Sequence, residues 1–294
     1  MRSGGASRTA VFVCQGRAAA QGRIAPEVFA DPIAEQLLTP DELVPVEQLR
    51  SGYTPQSGVE RFALASVQAC AEIVTPRTVL IDEAIAAALE SAPGAQVILL
   101  GAGLDGRPWR LGSLDAVPVL SIDHPASQED MRRRTVNLPT PVAELRWMPV
   151  DLATADLAAA VREVSTDRTQ ALVWVWEGVI PYLEPAAVRR TIQAMRDCSP
   201  PGSQVIANYQ APSLVSALGR RLSGLAARAA RLSSPLADEP WRSTWTPARL
   251  AAAFAGAGWS VSADHSLLDQ ARLIGSSTGS SRSLASGRVL VARF

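Results

Sequence analysis

The chain has 294 residues, 47% of them hydrophobic, which suits one large α/β domain or two smaller ones and excludes a disordered protein. Its 28 basic residues balance 28 acidic ones, so the charge carries no footprint for nucleic acid. Every basic residue is an arginine, so a Schiff-base lysine, a P-loop lysine and a Tyr-x-x-x-Lys pair are all excluded.

Residues 7 to 92 show helical spacing and no clear strand, with Ile81, Ile85, Ala88 and Leu89 on one face before Pro93-Gly94 stops the helix. From residue 96 the pattern changes. Short β-rich runs at 96–101, 117–122, 144–150, 170–176 and 203–208 alternate with helical segments at about 125–136, 154–164 and 184–197. Such alternation predicts a parallel sheet with helices on both faces. Ala211 to Leu232 interrupts it with a leucine stripe, among which lie Arg220 and Arg221; this reads as a cap over the ligand edge of the sheet. A helix over 247–257, a strand near 259–264, a Ser/Gly-rich loop from Ser276 to Ser286 and a final strand from Gly287 to Phe294 complete the chain.

Cys14, Cys70 and Cys198 are odd in number and widely spaced, and histidine is limited to His124 and His265; neither a disulfide framework nor a metal site is expected. No uninterrupted apolar run reaches the roughly 18 residues that span a bilayer. Ala10 to Cys14 is too short for a signal-peptide core. The expectation is a cytoplasmic protein without a membrane partner, and nothing in the sequence argues for a homo-oligomer.

The most informative stretch is Val97-Ile-Leu-Leu-Gly101-Ala102-Gly103-Leu-Asp-Gly106-Arg107, a buried strand running into a glycine turn. Glycine lets a backbone approach a ligand closely. Asp123 ends the next strand, about 20 residues beyond the turn, where an acid can accept hydrogen bonds from ribose hydroxyls. Asp151 and Glu177 end the two strands after that. In an open parallel sheet these residues converge on one crevice at the carboxyl ends of the strands. For Asp151 the competing reading is a helix N-cap. A nucleoside-containing cofactor follows, either a nicotinamide or another. Some ninety helical residues ahead of the glycine strand and the missing lysines argue against a nicotinamide. Trp174 and Trp176 read as core residues, and His265 as a surface histidine.

Leu100-Gly-Ala-Gly-Leu-Asp-Gly-Arg107, Ile122-Asp-His-Pro125, Pro149-Val-Asp-Leu152 and Trp176-Glu-Gly-Val-Ile-Pro-Tyr-Leu183 together resemble the leucine carboxyl methyltransferase family. So do Ser7 to Ala10, Phe29 to Ala34, Pro76 to Asp82 and Trp245 to Leu250, so the likeness covers nearly the whole chain. The family is a branch of the class I S-adenosylmethionine-dependent methyltransferases that includes bacterial O-methyltransferases of polyketide and other secondary metabolism. The resemblance implies that Arg77 binds the methionine carboxylate, the competing reading being a surface arginine at a helix start. It implies that Gly101, Ala102 and Gly103 let the backbone approach the cofactor and that Asp123 holds the ribose hydroxyls. His124 would line the ribose or adenine side, Asp151 and Leu152 would read the adenine edge, and Glu177 would sit near the cofactor's amino group. The family often has Thr or Ser at the position of Gly106, so the resemblance implies no cofactor contact from a side chain there.

The expected architecture is a class I methyltransferase, Rossmann-like α/β fold. A seven-stranded sheet ends in an antiparallel strand, residues 1–92 form a helical extension or lid, 93–294 form the cofactor-binding core, and a cap is inserted at about 210–245. The expected reaction is methyl transfer from S-adenosylmethionine, leaving S-adenosylhomocysteine, to an oxygen of a small-molecule acceptor. A carboxylate is favoured over a hydroxyl because it is ionised near neutral pH and needs no base. Tyr182 and Tyr209 are the acceptor-side candidates, each weighed against simple core packing, with Tyr53 behind them; no general base stands out. Two alternatives are an NAD(P)-dependent oxidoreductase using the same glycine turn and a non-catalytic binding protein with this fold.

Overall fold

A computed structural model describes residues 7–152, 155–164, 169–212, 241–276 and 278–294. The expected cap, with Arg220 and Arg221, falls for the most part outside the described residues. Four helices come first: α1 (Arg8–Ala20), α2 (Pro32–Gln36), α3 (Pro40–Ser51) and α4 (Gly58–Ser91). Then β1 (Gln96–Leu100), α5 (Arg107–Arg110), β2 (Pro118–Asp123), α6 (Pro125–Arg134), β3 (Glu144–Pro149), α7 (Leu157–Val164), β4 (Leu172–Trp176), α8 (Pro185–Cys198) and β5 (Gln204–Gln210) alternate. The chain closes with α9 (Pro247–Gly256), β6 (Ser260–Ser266), α10 (Leu267–Leu273), α11 (Ser281–Ser286) and β7 (Gly287–Arg293).

Local chemistry starts many of these helices. Asp31-Pro32, Thr39-Pro40, His124-Pro125 and Thr246-Pro247 each put a side-chain acceptor at the N-cap and a proline in the first turn. The proline has no N–H to leave unsatisfied there, and its fixed φ already suits the helix. Thr39 and Glu42 add a reciprocal capping box.

The sheet has seven strands in the order β3-β2-β1-β4-β5-β7-β6. β1 to β5 are parallel, and β7 runs antiparallel between β5 and β6. The central strands β1 and β4 are buried at every residue, as continuous apolar runs covered on both faces must be. The edge strands β3 and β6 are mostly half-exposed or exposed. One face packs Ile98, Leu120, Trp174, Trp176 and Val205 against α7, α8 and α9. The other packs Val97, Leu99, Val173, Val175 and Ile206 against Leu80, Ile81, Ile85 and Ala88 of α4 and against α10. The expected N-terminal unit is therefore continuous with the core. The second half of α4 is a layer of the sandwich, while α1, α2, α3 and the first half of α4 build a further cluster with Trp109 and Met131. At 34 residues α4 is long and apolar enough to cross a membrane, and 72% of its most apolar window is buried inside the protein.

One local expectation fails. Ser276 to Ser286 has the composition of a loop, but Ser281–Ser286 forms α11. Serine-rich composition gives weak local preference. Here the fully buried Leu284, packed into the sheet's second face, decides the conformation.

Candidate functional site

The carboxyl ends of β1, β2 and β4 carry the sequence-predicted residues. After β1 the chain turns at Gly101 (φ +69°) and Gly103 (φ +56°), both left-handed conformations that favour glycine. Gly101 N–H donates to Ile122 O at 2.8 Å, which ties the turn to the end of β2. A Cβ on Gly101 would lie 2.5 Å from Val179 Cγ2, so the turn lies against the loop that follows β4. Gly103 and Gly106 face the N-terminal helices instead: their Cβ positions would lie 3.1 Å from Ala10 Cβ and 3.0 Å from Ile33 Cγ2. The glycine turn is thus roofed by α1 and α2, and the space at position 106 is taken by Ile33.

Asp123 lies across the turn. Its Oδ2 accepts from Gly103 N–H at 2.6 Å, and its Oδ1 accepts from His124 N–H at 2.6 Å. His124 is the N-cap of α6, with Nδ1 accepting from Ala126 N–H at 3.2 Å. In a neutral ring this leaves Nε2 as the donor. Asp151 and Leu152, after β3, are half-exposed. Asp151 O accepts from Ala155 N–H at 2.9 Å, while α7 has its own cap in Asp156, whose Oδ1 accepts from Ala159 N–H at 3.0 Å; the N–H groups of 153 and 154, which an Asp151 side-chain cap would engage, lie outside the described residues.

Glu177, after β4, has both carboxylate oxygens engaged. Oε2 lies 2.7 Å from Arg107 Nη1 and Oε1 lies 2.7 Å from Arg77 Nε. The Arg77 contact is an ion pair without hydrogen-bond alignment, and Arg77 Nε and Glu177 Oε1 are both buried with no hydrogen-bond partner. Burial alone would raise the Glu177 pKa; the charges of Arg107, Arg77 and Arg17 outweigh it and hold the carboxyl well below the usual range. Arg77 is no surface arginine at a helix start. It lies inside α4, one residue after Pro76, and is buried.

The structure adds residues that the sequence reading passed over. Arg107 also donates through Nε to Asp82 Oδ1 at 2.6 Å and through Nη1 to Asp105 Oδ2 at 2.8 Å. Arg110 Nη1 donates to Asp82 Oδ2 at 2.7 Å, and Arg110 Nε reaches Asp31 Oδ2 at 3.4 Å. Asp31 in turn pairs with Arg17 Nε at 2.9 Å, and Arg17 Nη2 donates to Leu104 O in the glycine turn. Four guanidinium groups and four carboxylates thus run in one chain of contacts from α1 to Glu177. One signal was available in the sequence: Arg77 and Asp82 interrupt the apolar stretch of α4, and a buried charge needs a partner.

Tyr209, an acceptor-side candidate, lies in the core, as its competing reading has it. Its side chain is fully buried beside Trp176 and Trp245, and its hydroxyl donates to Asp264 Oδ2 at 2.7 Å. Arg288 Nε donates to the other oxygen of Asp264 at 2.9 Å. Burial first, then the hydrogen bond to Asp264, push the Tyr209 hydroxyl pKa far up. Tyr182 is half-buried in the short turn Ile180–Tyr182, five residues after Glu177. Residues at the end of the expected cap strap onto that turn: Arg242 N–H and Ser243 N–H both donate to Pro181 O, at 2.7 and 3.2 Å, and Ser243 Oγ donates to Ile180 O at 3.1 Å. Tyr53 lies in the α3–α4 connection, its hydroxyl 3.2 Å from Glu60 Oε2. Trp174 and Trp176 are fully buried and His265 is exposed, as expected.

Five parallel strands, an antiparallel seventh strand inserted between the fifth and sixth, a glycine turn after the first and an acid after the second define a class I S-adenosylmethionine-dependent methyltransferase. Solved structures share the fold. A duf574 family protein from Streptomyces avermitilis aligns over 98% of this chain and 97% of its own, with TM-score 0.58 and 14% identity. A putative methyltransferase from Thermobifida fusca aligns over 93% and 95%, with TM-score 0.52 and 15% identity. Sequence comparison is sharper. The family model for leucine carboxyl methyltransferase matches residues 10–196. A putative S-adenosyl-L-methionine-dependent methyltransferase of Mycolicibacterium gilvum is 33% identical over 263 residues, covering 86% of this chain and 82% of that protein. One from Mycobacterium avium is 33% identical over 226 residues, covering 76% and 71%. The chain belongs to the leucine carboxyl methyltransferase family, which sets the nicotinamide alternative aside.

Proposed function

We propose that the protein transfers a methyl group from S-adenosylmethionine to an oxygen of a small-molecule acceptor, a carboxylate before a hydroxyl, in secondary-metabolite biosynthesis in the cytoplasm. The residues at the carboxyl edge fit the donor. Asp123, which accepts from two backbone N–H groups, would also accept the ribose hydroxyls. Neither Nη of Arg77 makes a hydrogen bond among the described residues, so its outer fork can take a carboxylate. Glu177 offers the matching negative charge for the ammonium. Asp151 and Leu152 would read the adenine edge, His124 would line the adenine or ribose side, and the Gly101-Ala102-Gly103 backbone would lie along the donor. When bound, the donor supplies an electrophilic methyl on sulfonium, so the chain's residues contribute mainly alignment.

One observation carries the choice of acceptor. Among the described residues at this edge, each titratable group already has a partner. Asp123 holds backbone N–H groups, Glu177 holds two arginines, the Nδ1 of His124 holds Ala126 N–H, and Asp151 and Tyr182 each have partners of their own. A phenol or alcohol needs a group able to take its proton, whereas a carboxylate arrives without one. Tyr182 then serves as an acceptor-side wall and hydrogen-bonding group.

The test is incubation with methyl-labelled S-adenosylmethionine and separate pools of carboxylic acids, phenols, alcohols and amines. Label that is released as methanol by mild base marks a carboxyl ester and supports the proposal. Base-stable label on a phenol or amine refutes the acceptor choice. Donor binding with no transfer to any pool would favour the non-catalytic alternative.

A further inference from the structure

Arg107 stands at the junction of the buried charge chain. It is 2% exposed, and its guanidinium meets three carboxylates, those of Asp82, Asp105 and Glu177. Two of the three belong to elements other than the β4 loop: Asp82 on α4, shared with Arg110, and Asp105 in the glycine turn, whose Oδ1 also accepts from Arg107 N–H at 2.8 Å. These two acids compensate and orient Arg107, so its remaining contact is directed at Glu177. Glu177 lies on a loop between β4 and the Ile180–Tyr182 turn, and its side chain has no hydrogen bond of its own to the backbone among those the structure gives. A carboxylate on such a loop needs an external anchor to keep one rotamer. A three-way contact from a planar, permanently charged group on a helix supplies it.

Resting on the cofactor reading above, we propose that Arg107 is a positioning residue for the amino-acid end of the donor: braced by Asp82 and Asp105, it fixes the carboxylate of Glu177 where the donor's ammonium is received. Arg107 touches neither donor nor acceptor in this scheme. The competing role is purely structural, with the chain of charges tying α1, α2 and α4 to the sheet. The two roles differ in one observable. A positioning role acts on ligands that possess the amino-acid end, and a structural role acts on the whole site.

The experiment measures binding of S-adenosylhomocysteine and of 5′-methylthioadenosine, which keeps the nucleoside and lacks the amino-acid end, to the full chain and to Arg107→Gln. The expected result is an affinity loss of at least about tenfold for S-adenosylhomocysteine, as for a misplaced charged hydrogen-bonding partner, with methylthioadenosine affinity held within about twofold. Arg107→Lys, which keeps the charge but not the three-way fork, should recover part of the loss. Equal losses for both ligands overturn the proposal in favour of the structural role, and an unchanged S-adenosylhomocysteine affinity overturns it outright. Wild-type protein that binds neither ligand refutes the cofactor reading and this proposal with it. Arg107→Gln leaves buried acids short of a cation and could fail to fold. The double variant Arg107→Gln/Asp82→Asn removes one charge of each sign, keeps the chain neutral, and is read by the same two ligands.

Discussion

Replacing Gly101 by alanine perturbs the turn in two separable ways. At φ +69° an L-residue costs roughly 1–2 kcal/mol relative to glycine. The new Cβ would also lie 2.5 Å from Val179 Cγ2, about 1 Å inside ordinary contact. Val179 is β-branched and cannot swing its methyl away freely, so this overpacking adds about 1–3 kcal/mol. The total is about 2–5 kcal/mol, a large share of the stability of a domain. Val179→Ala in the same chain removes the clash and leaves the φ cost, so the double variant should be more stable than the sum of the single changes by about 1–3 kcal/mol. Urea denaturation of the four proteins of this cycle measures the coupling. Additive effects would refute the argument, because they would mean that the glycine turn and the loop after β4 are not in contact. The same contact predicts that Gly101→Ala weakens S-adenosylhomocysteine binding, since the displaced loop carries Glu177.

Tyr209→Phe should cost about 1–2 kcal/mol through the stranded Asp264 acceptor while leaving methyl transfer unchanged; a large fall in turnover with little change in melting would return Tyr209 to the acceptor site. The Glu177 carboxyl has a folded-state pKa below its ordinary value of 4.5, so its stabilising contribution is full above that value and is lost as pH falls below it toward the folded-state pKa. Denaturation between about pH 3 and pH 7 should therefore show a steeper acid loss in the wild type than in Glu177→Gln, and parallel curves would refute the ion-pair assignment. Burial first raises the thiol pKa of Cys14 to about 12, of Cys70 to about 11 and of Cys198 to about 12. Near neutral pH all three should label slowly with iodoacetamide until the chain unfolds, and rapid labelling of Cys14 in the native state would contradict its buried place on α1.

The elements that local chemistry controls were legible in the sequence. Apolar runs marked β1 and β4, helical spacing marked the helices between the parallel strands, and the glycine spacing with Asp123 marked the turn and its acid. Each depends on residues near one another in the chain, and ordered motifs can name the family from such segments. What only the tertiary structure decided are relations between distant residues. Arg77 and Glu177 are 100 positions apart, and nothing in either segment states that their side chains meet at 2.7 Å. Tyr209 ends a strand as an acceptor contact would, yet packing against Trp176 and a hydrogen bond to Asp264, 55 positions on, turn it inward. Ser281 to Ser286 has loop composition and becomes helix because Leu284 is buried against the sheet. A backbone preference of a few tenths of a kcal/mol per residue yields to burial of a leucine worth about 2 kcal/mol, and a charge buried in the fold finds its partner wherever the chain brings one.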